Sequence, residues 1–342
     1  MQRLLTTAKW DAGAIRDELH KYINERFGDP QSVIVVSQAA FTKRGRHSAG
    51  VKKQFNEDSQ RVENCQIGMF TGYSTPRGTI LMDRELYVPE EWRDDWDRRS
   101  RAGIPEMAFA SRTALAIRMI TRAIGSQLPA AWVTTSGLAD NGPALHEWLH
   151  AQRVPHIVEI LPSAAVRYKR GNRLVEACAR DLLGPVSNPQ WRQFCQRDLL
   201  WSRVLLRADS SGRNGMWLVA SATCPSKPRQ QYLAAGPVTT TLAELAGAAQ
   251  AFEGTKDALT RAKDRVGLDH YETRRYVAWY RHVTLALFAD ALLEAHGRPR
   301  GEAQHGLTAA QTIHETREIR EKGVRELCLH QRTVPHATSL AR

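Results

Sequence analysis

The spacing of apolar and polar residues along the chain predicts alternating helices and strands. Residues 9 to 27 carry apolar side chains at helical intervals, and Gly28-Asp29-Pro30 ends that helix. The run SVIVV at 32 to 36 is typical of a strand that is buried on both faces. Further strands are predicted over residues 65–73, 78–88, 130–135 and 156–160. Further helices are predicted over residues 105–126, 143–152, 240–265, 272–296 and 308–328.

The stretch from 162 to 238 differs from its flanks, because β-like runs alternate there with turn clusters such as Asp209-Ser210-Ser211-Gly212. We predict an α/β protein with a mixed sheet between helices and a β-rich insertion before the last core helix. That order resembles a ribonuclease-H-like fold. The predicted segments are an N-terminal helical segment (1–30), the first part of the core (31–161), an insertion domain (162–238), the closing helices of the core (239–296), and a C-terminal helix and tail (297–342).

Composition is that of a soluble globular protein, with 42% apolar and 25% charged residues among 342. No apolar run reaches the roughly 18 residues of a membrane span, and the N-terminus lacks a secretory signal, so we expect a cytoplasmic protein with no membrane partner. The five cysteines are scattered without a C-x-x-C pair. Neither a zinc ribbon nor a disulfide framework is therefore indicated.

The net charge of +12 makes nucleic acid the expected partner, since an excess of this size favours polyanions. Two basic clusters are candidates for phosphate contact. One follows the first strand and the other lies in the insertion: Lys43, Arg44, Arg46, Lys52 and Lys53, and then Arg167, Lys169, Arg170 and Arg173. A third group interleaves Arg274, Arg275 and Arg281 with aromatic residues, but helical apolar spacing explains those aromatics as core.

A histidine pattern on the helix predicted at 143–152 suggests a metal site. His146, Glu147 and His150 match H-E-x-x-H, and His156 follows where a third ligand would stand. Two histidines at i and i+4 share a helical face and can share zinc, with the glutamate activating water. The alternative interpretation is that Leu145, Trp148 and Leu149 are buried and the histidines face solvent.

Five blocks of sequence resemble one family in the same order along nearly the whole chain. They are MQRLL with Trp10-Asp11, Gly28-Asp29-Pro30, RVENCQIG at 61–68, DRELYVPEEW at 83–92, and GLDHYETRRYVAWYRHVTLA at 267–286. The chain resembles bacterial DDE transposases of the insertion sequence 701 family, within the larger insertion-sequence-four group. The resemblance implies a ribonuclease-H-like nuclease core in which three acids hold divalent metal for phosphoryl transfer.

All three catalytic acids of that family are replaced. The first strand of the family resembles V-V-D-E-T-G-F, and Ser37 stands at the aspartate; the second resembles W-V-T-x-D-E, and Ser136 stands at the aspartate. In the late helix Lys256 replaces the glutamate, Asp257 follows it, and Lys263 matches a family lysine. Hydroxyls and an ammonium do not hold hard divalent cations, so we expect no metal cofactor at these positions.

Family members carry a further region ahead of the MQRLL block that is expected to help bind transposon ends, so we expect no transposition by this chain alone. Three interpretations follow. The first is a catalytically inactive, domesticated transposase relative that binds DNA as an accessory or regulatory protein. The second is a repurposed enzyme acting on a small-molecule substrate, with either Ser37, Ser136 and Lys256 as nucleophiles and base or zinc at the histidines. The third is a scaffold that pairs with another copy as a homodimer.

Overall fold

A computed structural model describes residues 2–183, 191–193, 199–224 and 227–297. The helix predicted at 308–328 lies outside the described residues. The helices are α1 Gln2–Thr6, α2 Ala12–Phe27, α3 Glu91–Asp94, α4 Trp96–Ala102, α5 Arg112–Gly125, α6 Gly142–Ala151, α7 Leu242–Val266 and α8 Tyr276–His296. In the described part of the chain, no helix combines the length and the apolar character that a bilayer crossing requires.

The strands that the structure describes form a large mixed sheet and a separate two-stranded ribbon. The strands are β1 Val33–Thr42, β2 Lys52–Asn56, β3 Arg61–Thr75, β4 Gly78–Tyr87, β5 Trp132–Thr135, β6 His156–Ile160, β7 Ala165–Arg170, β8 Arg173–Cys178, β9 Arg192–Gln193, β10 Leu200–Ala208, β11 Asn214–Cys224 and β12 Lys227–Pro237.

The large sheet runs in the order β2-β3-β1-β5-β6-β12-β11-β10-β9, with β4 paired to β3 beside this path. Strand β1 is antiparallel to β3 and parallel to β5, and β5 is parallel to β6. Both crossovers between parallel strands contain helices, α5 before β5 and α6 before β6, as parallel pairing requires. This mixed sheet flanked by helices is a ribonuclease-H-like arrangement, and the predicted fold class is confirmed.

Alternation along β1 divides its side chains between two helical layers. Val33 and Val35 lie in one apolar cluster with the first half of α7, including Leu245 and Phe252. The side chains between them point to the opposite face, where α5 and α6 pack. Because β1 is covered on both faces, its continuous β-branched run is explained.

Several element predictions are confirmed, with shifts at the ends. The β3–β4 hairpin turns between Thr75 and Gly78 as predicted, and α6, α7 and α8 lie where helical periodicity placed them. The helix predicted over 105–126 begins only at Arg112, because Ser111 caps it by accepting the Ala114 N–H. The strand predicted over 32–36 extends to Thr42, since pairing with β3 continues through Cys65.

The segment predicted as an insertion domain continues the core sheet. Strand β12 pairs antiparallel with β6 from Gln231 to Ala235, and β11 and β10 follow outward. Among the strands that the structure describes in this segment, the β7–β8 ribbon stands apart from that sheet. At the other end of the chain, α1 and α2 pack against α8, so the N-terminal segment and the closing helices form one layer over β4.

A charged network lies inside this layer. Asp83 is fully buried; it accepts hydrogen bonds from the Arg84 N–H (2.8 Å) and from Arg122 Nε (2.8 Å). Arg122 also reaches Glu85 at 2.7 Å, and Tyr280 donates to Glu85 at 2.6 Å. Burial opposes ionisation of Asp83, but Arg122 and Arg84 outweigh it and hold the pKa of that carboxyl below its usual value. The network joins β4, α5 and α8.

Candidate functional site

Ser37 and Ser136 meet where β1 and β5 run side by side. The Ser136 N–H donates to the Val36 carbonyl at 2.9 Å, which extends the parallel pairing of β1 with β5. Both serines are buried. Alternate residues of a strand point to the same face, so Ser37 lies on the same face of β1 as Val33 and Val35 and faces α7. The resemblance predicted that Ser37, Ser136 and Lys256 converge, and the two serines lie on adjacent chain segments.

Lys256 lies on α7 above this end of the sheet. Thr255 is fully buried against Gly72 of β3, where any side chain at position 72 would collide with its hydroxyl. This close approach fixes α7 over β1 and β3. Lys256 itself is exposed, with its ammonium 4.9 Å from the centre of the Phe252 ring. Asp257 beside it is also exposed.

Two glutamates that the sequence did not single out lie at this site. Glu57 follows β2, and its Oε1 accepts from Gln38 Nε2 at 2.7 Å. Glu159 lies in β6, where its Oε2 accepts from the Gly137 N–H at 3.1 Å and its Oε1 from Gln230 at 3.3 Å. Each carboxylate is already engaged by nitrogen donors. An acidic residue within the apolar run of the strand HIVEI was an available sequence signal for Glu159.

Desolvation raises the pKa of both carboxyl groups. For Glu57 the Gln38 hydrogen bond opposes this rise and the Glu159 charge adds to it; Lys256 lowers both pKa values. Glu57 is exposed as a residue, but its carboxylate lies against Gly137, which limits its hydration. Gly137 has φ +73°, a backbone conformation that favours glycine, and a Cβ there would lie 2.7 Å from Glu57 Oε2.

The donors at this site do not fit a two-metal centre. Ser37 and Ser136 offer hydroxyls, Lys256 offers a cation, and the two glutamates are bound to nitrogen donors. Within residues 2–183, 191–193, 199–224 and 227–297, no three His, Cys, Asp or Glu side chains converge in a way that could hold a metal ion. Hard divalent cations need several oxygen ligands.

Lys263, which the resemblance predicted to match a family lysine, lies two turns of α7 beyond Lys256. Its ammonium is 3.8 Å from Asp58 Oδ2 and 5.5 Å from the centre of the Phe41 ring. Lys263 therefore faces the turn that connects β2 and β3, which carries Glu57 and Asp58.

The histidines form a buried hydrogen-bonded pair. His156 Nδ1 is 2.7 Å from the Val154 carbonyl, so that nitrogen carries the proton and donates. His156 Nε2 then accepts from His146 Nδ1 at 2.8 Å. Both residues are buried, which corrects the alternative that His146 faces solvent. The His146 and His150 rings are parallel with centroids 6.0 Å apart, and Glu147 is exposed. The lone pair of His156 Nε2 that zinc would use is already engaged.

This pair predicts an acid-sensitive stability. Desolvation lowers the pKa of His146 to about 3 and of His156 to about 4. The unfolded chain takes up these protons near pH 6.5, and the folded chain does not. The pair's contribution to the free energy of unfolding is therefore at its maximum above about pH 6.5 and decreases as the pH drops toward 4. Urea unfolding between pH 7 and 4.5 measures this slope. His156→Gln should reduce it, and His47→Gln, at an exposed position outside this cluster, should leave it unchanged; equal slopes in all three proteins would contradict the assignment.

In the basic cluster after β1, some side chains are engaged within the protein and others are exposed. Lys43 is half-buried. Its ammonium donates to the Tyr271 carbonyl at 3.1 Å and lies 3.6 Å from the centre of the Tyr271 ring. Desolvation lowers the pKa of Lys43 to about 8. Lys52 pairs with Glu91 at 2.5 Å. Arg44, Arg46 and Lys53 are exposed. Lys43 and Lys52 are thus engaged within the protein, and the other three are accessible to phosphate.

The second basic cluster lies on the β7–β8 ribbon. Val166 is buried and Tyr168 packs against the core, which anchors one face of the ribbon. Arg167 pairs with Glu176 at 3.4 Å near its base. At the tip, Arg170 and Arg173 are paired directly across the two strands, and Lys169 precedes them. Like charges directly opposite each other destabilise an isolated ribbon, so this tip is suited to an anionic partner.

The late aromatic group is core, as apolar spacing indicated. Trp279 is buried and donates to the Tyr271 hydroxyl at 3.0 Å. Arg281 donates to the carbonyls of Leu5 and Trp10, at 3.1 and 2.9 Å, and so ties α8 to the N-terminal segment. Arg274 and Arg275 are exposed just ahead of α8.

Comparison with known proteins adds one match. Residues 1–185 match a family model described as DDE superfamily endonuclease. That range covers α1 through β8 and includes Ser37 and Ser136, and Lys256 lies beyond it. A search of the curated proteins finds no match.

Proposed function

Because the chain belongs to the DDE superfamily endonucleases, we propose that it is a transposase-derived protein that binds nucleic acid but does not cut it by metal-dependent phosphoryl transfer. In this proposal it is a degenerate relative of the insertion sequence 701 family, with an accessory or regulatory role. DNA is the partner, and residence is cytoplasmic.

The observation that carries the proposal is the donor set beneath α7. Ser37 lies in the middle of β1, Ser136 follows the end of β5 beside it, and Lys256 lies on the helix above. Two-metal catalysis needs carboxylate oxygens that hold both cations and offset their charge. Two hydroxyls and an ammonium neither hold the cations nor offset their charge. Glu57 and Glu159 do not replace the missing acids, since Gln38 and Gly137 already donate to them.

Retained nucleic-acid binding is supported by charge and by shape. The net charge is +12, and the exposed Arg44, Arg46 and Lys53 offer phosphate contacts. The β7–β8 ribbon adds an exposed tip of three cations. A two-stranded ribbon has the width that the major groove of duplex DNA admits. We therefore propose the ribbon tip as a principal contact with a duplex.

The enzyme interpretations have less support. A serine nucleophile activated by lysine needs a buried lysine, and Lys256 is exposed. A zinc site at His146, Glu147, His150 and His156 needs converging lone pairs, whereas His146 donates to His156 and Glu147 points away from the buried pair. The scaffold and homodimer interpretations stay hypotheses.

The proposal is tested by the native protein with a fluorescent duplex oligonucleotide. We expect binding in EDTA that weakens steeply as salt rises, because phosphate contacts release counterions. We expect the duplex to stay intact when Mg²⁺ or Mn²⁺ is added. Binding that does not respond to salt, or no binding, would refute the nucleic-acid part of the proposal.

A further inference from the structure

A cavity of about 270 Å³ opens between the start of α2, the start of α8 and strand β4; we call it the α2–α8 cavity. Its walls include Trp10, Arg16, Arg84, Tyr276, Val277 and Arg281. Ser37, Ser136 and Lys256 do not line it. Pockets for organic ligands usually measure roughly 300–1,000 Å³, so a cavity of this size suits a small ligand.

Arg281 brings a positive charge to this cavity that its own partners do not offset. Its two terminal nitrogens donate to the carbonyls of Leu5, at 3.1 Å, and of Trp10, at 2.9 Å. Both acceptors are neutral. Its Nε is buried without a hydrogen-bond partner in the described part of the chain. A guanidinium carries five N–H donors, so Arg281 keeps donors and charge for an anion.

Arg84 brings a second guanidinium to the same short stretch of chain. It is 2% exposed and donates to the Ala12 carbonyl at 2.9 Å, two residues beyond the Trp10 carbonyl that Arg281 holds. Two residues of chain span at most about 7 Å, so the two acceptor carbonyls lie close together. Asp83 offsets part of this second charge, at 3.3 Å from Arg84. Arg84 thus reinforces Arg281 from the wall of the cavity.

The start of α8 adds positive partial charge to the cavity. Tyr276 and Val277 are the first two residues of α8, and the cap residue Arg275 makes no side-chain hydrogen bond to this end. The first N–H groups of a helix lack internal partners and together act as about half a positive charge. Helix α2 also begins here, but Asp11 caps it by accepting from the Gly13 N–H at 2.8 Å. The start of α8 is therefore the more available to an anion.

The remaining charged groups of the cavity are engaged. Glu85 lines it, but accepts from Arg122 at 2.7 Å and from Tyr280 at 2.6 Å. Arg16 pairs with Asp17 at 2.6 Å. Because their charges are offset locally, Arg281 and the start of α8 determine which ligand the cavity favours.

We propose that the α2–α8 cavity binds the phosphate group of a small phosphate monoester. The phosphate lies against Arg281 and the start of α8, with the charge of Arg84 behind them. Its oxygens accept several hydrogen bonds at once, which suits a guanidinium beside unpaired helix N–H groups. The Trp10 and Tyr276 rings supply apolar wall for the organic part of the ligand. This site does not depend on the proposed function.

Calorimetry of the full chain in EDTA, with inorganic phosphate and phenyl phosphate as probes, tests the site. Both should bind the native protein, and phenyl phosphate should bind more tightly because its ring packs on the aromatic wall. Val277 is 51% exposed, so Val277→Glu places a carboxylate at the start of α8 with little loss of packing. We expect it to weaken each probe about tenfold, the scale of one charge-assisted hydrogen bond. The control Val62→Glu makes the same change at an exposed valine of β3 and should bind as the native protein does.

Arg281→Gln is the second variant and should also weaken both probes at least tenfold; circular dichroism establishes that each protein is folded. Absence of binding by the native protein, or equal weakening by Val277→Glu and Val62→Glu, would overturn the site. Equal affinities for the two probes would contradict the aromatic wall. Duplex affinity that is unchanged in Val277→Glu supports a small ester as the ligand. A parallel loss of duplex affinity would overturn that assignment, because the phosphate would then belong to nucleic acid.

Discussion

Reversing the charge of the ribbon tip, by Lys169→Glu with Arg170→Glu and Arg173→Glu, is expected to weaken duplex binding about 100-fold at about 0.15 M salt. Each lost phosphate contact removes about 0.9 from the slope of log affinity against log salt, so the slope should fall by about 2 to 3. Fluorescence anisotropy at several salt concentrations measures both quantities. The three residues are exposed, so the fold should not suffer.

The matched control changes the same amount of charge elsewhere. Lys9→Glu, Lys21→Glu and Arg26→Glu alter exposed residues of the N-terminal segment, away from the ribbon. This variant should keep most of the affinity. If both triple variants lose affinity equally, binding depends on net charge alone and the ribbon is not a specific contact.

Asp83→Asn is expected to lower the free energy of unfolding by about 3–5 kcal/mol. The substitution keeps the shape of the side chain but leaves Arg84, itself 2% exposed, without its buried counter-ion. Arg122 loses one of its two carboxylate partners. Removing one member of a buried ion pair costs far more than the pair itself contributes, because the remaining charge is desolvated. Urea unfolding followed by circular dichroism measures the loss.

Asp17→Asn provides the comparison for that experiment. Asp17 pairs with Arg16 at 2.6 Å, but its side chain is 57% exposed. Water screens such a pair, so its loss should cost no more than about 1 kcal/mol. If Asp83→Asn costs no more than Asp17→Asn, the buried network does not hold β4, α5 and α8 together.

The fold was predictable from the sequence to the extent that local patterns determined it. Periodicity identified α2, α7 and α8, and the continuous apolar run of β1 indicated a strand covered on both faces. The pairing of β12 with β6 was not predictable, since the two strands lie some 70 residues apart and alternation does not specify a partner. The segment from 162 to 238 was therefore expected to form an insertion domain, and its strands β10, β11 and β12 extend the core sheet.

The site was only partly predictable. The resemblance identified Ser37, Ser136 and Lys256, and the structure places the two serines on adjacent chain segments. Glu57 escaped notice because it lies in a turn whose position over Gly137 depends on tertiary packing. The histidine motif was misleading for the opposite reason. Its spacing suits a metal, but the buried hydrogen bond between His146 and His156 is visible only in three dimensions.

The most direct test of the account is one assay with native protein, duplex DNA and Mn²⁺. The Ser37→Asp, Ser136→Asp and Lys256→Glu triple variant, which introduces three carboxylates, is the matched comparison for Mn²⁺ binding. We predict that native protein shifts the duplex in EDTA, leaves both strands intact in Mn²⁺, and binds no Mn²⁺ by calorimetry, whereas the triple variant does. Strand cleavage by native protein that requires Mn²⁺ and disappears in EDTA would contradict the account.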